Sequence, residues 1–243
     1  MTGLENRIYL GNITGIVEGR TTLTVIDPGY RKSMVKKIGD LSASTGKDVG
    51  HLIFTHMHSD HVHNARSFPK VTRFSPSHFE AEESPIEVDD IKYGVYRTPG
   101  HTTSGDISVL VKGVVFVGDL VNRVHIPLIC DADAYLASLD RIAGLDFKYM
   151  FSAHGGLLTR EEGLEAVRKM SFYVGHAKQL LSERVNPDKK AICEIYTALL
   201  TEAGFTPEQI LDKKTKKDSN DRTHFSYFVS MFKNILRTTP EQV

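Results

Sequence analysis

Four histidines and one aspartate fall within ten consecutive positions, THMHSDHVHN at residues 55–64, in a chain holding 11 histidines among 243 residues. Imidazole nitrogens and carboxylate oxygens are the donors that hold zinc and similar ions. His56 and His58 stand two apart at the end of an apolar run. In extended backbone, side chains at i and i+2 point to the same side, so both can reach one ion. Asp60 and His61 follow where the chain turns. Their direction differs, and they can serve a second ion nearby.

These side chains need elements to position them. The run HLIFT, residues 51–55, reads as a buried strand with the histidine cluster on the loop at its C-terminal end. HVHNARSFP, from residue 61, predicts a helix that Pro69 closes. Three further candidates stand at strand-to-loop junctions: His101 in TPGHT, Asp119 in FVGDL and His154 in SAHGG. Their shared place at strand ends would let them converge on one rim. The first half of the chain alternates strands and turns. A hairpin about Gly19-Arg20 runs to Asp27-Pro28-Gly29, and strands are expected at VTRFS, IKYGVYRT, DISVLVK and GVVFVGD. Helical spacing at Met34, Val35, Ile38 and Leu41, and again at Tyr135, Leu136, Leu139 and Ile142, predicts two helices. After about residue 159 the sequence turns helical, through REEGLEAVRKMSFYVGHAKQLLSERV to a final segment RTHFSYFVSMFKNILRT.

The motif H-x-H-x-D-H at 56–61, with G-H at 101, G-D at 119 and H-G at 154, resembles the metallo-β-lactamase superfamily in content and order. The resemblance covers about residues 6–157. It implies an α/β fold, a four-layer αβ/βα sandwich, carrying here a helical C-terminal extension. The expected division is a catalytic core over residues 1–159 and an extension over 160–243 packed on it. By position it implies that His56, His58 and His101 hold one metal and that Asp60, His61 and His154 hold a second. Asp119 would bridge the two, and Asp27 resembles the acidic residue that buttresses the metal loops. The ligand set favours two divalent ions, with zinc the default and iron or manganese fitting the same donors.

Two such ions would supply a bridging hydroxide near neutral pH and polarise the substrate oxygen. Asp60 resembles the residue that orients this hydroxide or takes up a proton. The expected activity is hydrolysis of an ester, thioester, lactone or related substrate. The alternatives are a mononuclear iron sulfur dioxygenase held by His56, His101 and Asp119, and a nuclease or phosphodiesterase. His154 is followed by Gly155-Gly156-Leu157, not the Glu-Tyr pair usual in glyoxalase II relatives. His125 is the candidate substrate contact, with Arg123, Tyr173 and His176 behind it. His63 is read as a histidine on the helix surface.

Thirty basic and thirty acidic residues cancel, which gives no electrostatic case for a nucleic-acid partner. A small-molecule substrate is expected, and a homo-oligomer is compatible with the sequence. The start MTGLENRIYL lacks the features of a signal peptide, no apolar run suits a membrane span, and Cys130 and Cys193 form no spaced pair. The cytoplasm is the expected compartment.

Overall fold

The computed structural model describes residues 1–4, 6–122, 127–182, 198 and 202. Two six-stranded sheets face each other. The first runs β1 (Thr2–Leu4), β2 (Ile8–Gly11), β3 (Thr14–Glu18), β4 (Leu23–Ile26), β5 (Val49–Ile53) and β6 (Thr72–Phe74), in that spatial order. The second holds β7 (Ile86–Val88), β8 (Ile91–Arg97), β9 (Ile107–Val111), β10 (Val114–Gly118), β11 (Tyr149–Ser152) and β12 (Gly156–Thr159), ordered from β12 back to β7. Both sheets are mixed. β4, β5 and β6 pair in parallel, as do β10 and β11, and the remaining pairs are antiparallel.

Parallel neighbours need a crossover, and helices supply it. α1 (Lys32–Thr45) joins β4 to β5, and α3 (Ala132–Gly144) joins β10 to β11. α1 buries Met34 and Ile38 and ends at Gly46, whose left-handed backbone lets its N–H reach Ser42 O. α3 is capped by the Asp131 carboxylate, which accepts from Asp133 N and Ala134 N. Its buried face is Tyr135, Ser138, Leu139 and Ile142, with Leu136 only partly covered. α4 (Arg160–Ser182) lies beside α3, and its Val167, Met170, Tyr173 and Val174 join the same apolar cluster.

The layers follow from three apolar clusters. One fills the space between the sheets, with Ile8, Val17, Ile26 and Ile53 from the first meeting Tyr93, Val109, Phe116 and Phe151 from the second. Another seals α1 on the first sheet through Ile16, Val25, Ile38 and Leu52. The third seals α3 and α4 on the second. This is the expected αβ/βα sandwich.

Two expectations need correction. The helix after the histidine cluster is only α2 (Ser59–Val62), continued by a tighter 3-10 turn over His63–Ser67. Asn64 pulls the chain there toward the Pro28–Arg31 turn by side-chain bonds to two carbonyls, which a longer straight helix could not satisfy. Strands β1, β2, β7 and β12 were not foreseen, being short pieces of three or four residues at or near the sheet margins. Most of the C-terminal extension beyond α4 lies outside the described residues.

The sheets approach closely at Gly15, where an added Cβ would stand 2.1 Å from the Phe116 ring. Gly15→Ala should therefore lower stability by about 1–3 kcal/mol through overpacking. Urea denaturation measures it, and adding Phe116→Leu should restore part of the loss. No restoration would mean that the contact is not what Gly15 protects.

Candidate metal centre

The C-terminal ends of β4, β5, β10 and β11 meet at one edge of the sandwich. Asp27 follows β4, the 56–61 segment follows β5, Asp119 follows β10 and His154 follows β11. His101 comes from the loop between β8 and β9. That loop bends at Gly100, whose φ is +125° and where a Cβ would stand 2.5 Å from the Tyr135 backbone. Gly118, with φ +54°, lets β10 end against Thr55, where a Cβ would stand 2.5 Å from Thr55 Oγ1. No larger residue could bring Asp119 in by this path.

The seven side chains form two groups. His56, His58, His101 and Asp119 have donor atoms all within 4.8 Å of one another, and so do Asp60, His61, Asp119 and His154. Asp119 belongs to both and divides its oxygens between them. Its Oδ2 lies 3.8 Å from His56 Nε2 and 3.6 Å from His101 Nε2. Its Oδ1 lies 3.2 Å from both His61 Nε2 and His154 Nε2. Asp60 Oδ2 stands 3.8 Å from His61 Nε2 and from His154 Nε2. His58 turns Nδ1 inward, 3.2 Å from His101 Nε2.

Hydrogen bonds fix which imidazole nitrogen faces the centre. Leu128 O can only accept, so the His101 Nδ1 that lies 2.6 Å away carries a proton. Asp27 accepts from Thr55 N at 2.8 Å through Oδ1 and from the Thr55 hydroxyl at 2.6 Å through Oδ2. Its Oδ2 also lies 2.8 Å from His61 Nδ1. The Thr55 hydroxyl has one proton, spent on Asp27, so at 3.1 Å it accepts from His56 Nδ1. His56, His61 and His101 are thereby held with Nε2 inward, leaving that nitrogen's lone pair for a cation once His61 is neutral. Thr55 and the Leu128 carbonyl were missed in the sequence. A threonine ahead of the cluster was visible but mute, and a backbone carbonyl leaves no sequence signal.

The electrostatics suit a cation. Among the described residues, His56 Nε2, His61 Nε2 and Asp119 Oδ1 are buried and make no hydrogen bond of good geometry, a costly state that a metal ion relieves. Burial pushes His56 down to about 2 and lowers His101. Burial opposes charge on His61 too, but Asp27 and Asp119 outweigh it and lift its pKa to about 11. Contact with Asp119 raises His154. Burial alone would raise Asp119, yet His154 and His61 hold it well below the usual carboxylate range.

Other candidates fare differently. His63 is exposed on the 3-10 turn, where Arg66 donates to its Nε2. Tyr173 is buried in α4, and His176 on the same helix pairs with Glu202. His125 and Arg123 lie outside the described residues.

Such a His/Asp centre on the edge of an αββα sandwich defines a class. Residues 10–90 match the family described as the metallo-beta-lactamase superfamily. Probable metallo-hydrolase of Methanocaldococcus jannaschii is 34% identical over 140 residues, 53% of this chain and 68% of that protein. Beta-lactamase-like protein 2 homolog of Drosophila melanogaster is 21% identical over 169 residues, 60% of this chain. This chain spans 56% of that relative's length. Atrochrysone carboxyl ACP thioesterase of Pseudocercospora fijiensis is 23% identical over 235 residues, 87% of this chain and 70% of its own. Among solved structures, a metallo-beta-lactamase family protein from Thermus thermophilus superposes with a TM-score of 0.62 at 15% identity, covering 92% of this chain and 87% of that one. The chain belongs to the metallo-β-lactamase superfamily. Among the described residues, no helix is long and apolar enough to cross a membrane.

Two outcomes follow from the hydrogen-bond relay and the charge state. Thr55→Val removes the donor to Asp27 and the acceptor for His56, and should weaken zinc binding roughly 10- to 100-fold, with Thr55→Ser close to the parent. Competition with a chelating dye reads the affinities. In the metal-free protein His61 holds a proton at neutral pH, so a cation must expel it. Affinity should rise with pH, and calorimetry in buffers of different ionisation enthalpy should detect released protons. Buffer-independent heats would contradict the charge assigned to His61.

Proposed function

We propose that the protein is a dinuclear metal-dependent hydrolase of small carbonyl substrates, with esters, thioesters and lactones as the class. The observation that carries this reading is the division of Asp119, one oxygen toward each histidine group. A carboxylate serving one ion alone would not turn its two oxygens toward separate histidine groups. The grouping of Asp60, His61 and His154 around its Oδ1 favours a hydrolase over a mononuclear dioxygenase, which would leave that half idle. The thioesterase among the relatives supports the substrate class.

His56, His58 and His101 would hold one ion, and Asp60, His61 and His154 the other, with Asp119 between them. Zinc is the proposed metal. When bound, two such ions supply an activated water and polarise the scissile carbonyl. The protein's own part is orientation and proton management. Asp27 and Thr55 keep His56 and His61 fixed. Asp60, at the more open side with 38% of its side chain exposed, is placed to accept a proton from the attacking water and return it to the leaving group. The first group is the more enclosed, with His56 and His101 buried.

Elemental analysis of the purified protein should find two equivalents of metal, and Asp119→Asn should lose at least one and abolish turnover of a lactone and thioester panel. Asp60→Asn should retain metal better and lower kcat roughly 100-fold. Full activity in Asp119→Asn would remove the bridging role and the reading with it.

A further inference from the structure

We propose that Arg31 and Arg66 form a phosphate-recognition site beside the metal centre, selecting acyl thioesters whose thiol carries a phosphate group. The inference rests on reading the centre as a hydrolase, and it concerns which substrate that centre receives.

The starting point is how the described arginines are partnered. Arg7, Arg20, Arg141, Arg160 and Arg168 each face a carboxylate. Arg73 and Arg97 donate to backbone carbonyls. Arg31 and Arg66 do neither. Arg31 Nε donates to Tyr30 Oη at 3.2 Å, and its guanidinium carbon lies 5.5 Å from the Tyr30 ring centroid. Arg66 Nη2 donates to His63 Nε2 at 2.6 Å. Both are exposed and both are held by a neutral aromatic side chain. Each is thus oriented without being neutralised and keeps free N–H donors. No carboxylate among the described residues pairs with either.

Both also ride on the backbone that carries His61. Gly29 N donates to His61 O at 2.9 Å, and Asn64 N donates to Gly29 O at 2.8 Å. The buried Asn64 side chain donates to Pro28 O and Arg31 O at 3.0 and 3.1 Å. One hydrogen-bonded unit therefore bears a metal-group histidine and two unpaired guanidinium groups. Neither guanidinium has a counter-charge among the described residues, so both remain available to an anion from outside. Planar guanidinium forks match the oxygens of a phosphate. Tyr30, 46% exposed on the same turn, offers apolar surface to the linker between phosphate and thioester. In the reaction, the oxygen of one water joins the acyl carbon. The carbon–sulfur bond breaks with its electron pair on sulfur, and a proton passes to the thiolate.

The test compares hexanoyl-coenzyme A with hexanoyl-N-acetylcysteamine, which lacks phosphate, on the full-length metal-loaded protein. The ratio of their kcat/KM values should fall roughly 10-fold or more in Arg31→Ala/Arg66→Ala, through KM. Arg168→Ala, on α4 and paired with Glu165, should leave the ratio as it was. A ratio unchanged in the double variant, or an equal loss on both thioesters, would overturn the site. Should neither thioester be turned over, the thioester reading of the centre fails on its own. Calorimetry with desulfo-coenzyme A then still decides the arginine pair. Binding weakened roughly 10-fold in the double variant supports it, and equal affinity or no binding to the parent overturns it.

Discussion

One buried carboxylate ties the molecule's two functional halves together. Asp27 is almost fully buried and accepts from the Thr55 amide, from the Thr55 hydroxyl and from His61. Its own backbone sits at φ +49°, an unusual conformation for a residue other than glycine. That turn sends the chain from β4 into the Gly29 turn against His61 while the side chain reaches back toward β5. Through Thr55 the same carboxylate governs His56 in one donor group, and directly it governs His61 in the other. A burial cost is acceptable here because every Asp27 oxygen is hydrogen-bonded. Losing it would free two imidazoles at once, so the geometry of neither half is independent of the other.

The sheets exist, for this purpose, to bring strand ends together. Parallel pairing of β4 with β5 and of β10 with β11 places four C-terminal ends along one edge. The inter-sheet cluster around Val17, Ile26, Val109 and Phe116 sets how far apart the two halves of the edge stand. Close approach at Gly15 and Gly118 is what allows Asp119 to reach histidines from the opposite sheet. Tyr135 adds a brace from α3. It is fully buried, and its hydroxyl donates to Leu120 O just past Asp119. Ser152 likewise donates to Val121 O, fastening the chain beyond Asp119 to the strand that leads to His154.

Much of this edge was legible in the sequence because ligand types are rare and their spacing is informative. The cluster at 56–61 and the three later positions stand together in space as two donor groups. The strands with strong valine content and the helices with clear periodicity were legible too, since burial on one face writes a period into the chain. The short strands β1, β2, β7 and β12 were not, because pieces of three or four residues carry no period. The helix after the cluster was overextended for a related reason. Its apolar spacing fits a helix, but Asn64 is recruited by carbonyls 33 to 36 positions away, and no local pattern announces that.

The net charge of zero shows what a sum conceals. Glu80, Glu82 and Glu83 precede β7 and Glu87 lies within it, while Arg31, Lys32, Arg66 and Lys70 lie along the chain on either side of the metal loop. Equal totals thus coexist with segregated signs. The donor groups themselves are built from strand ends, and nothing in them selects one substrate over another. Selection has to come from side chains that flank the centre and remain solvent-facing. On the 28–31 and 63–66 turns those side chains are cationic and aromatic. Both turns are tied by main-chain bonds to each other and to His61, so an anion recognised there, as proposed, would sit on the same backbone unit as a donor-group histidine. Specificity placed this way would leave the donor geometry undisturbed, because Arg31 and Arg66 bond to Tyr30 and His63 and to neither donor group.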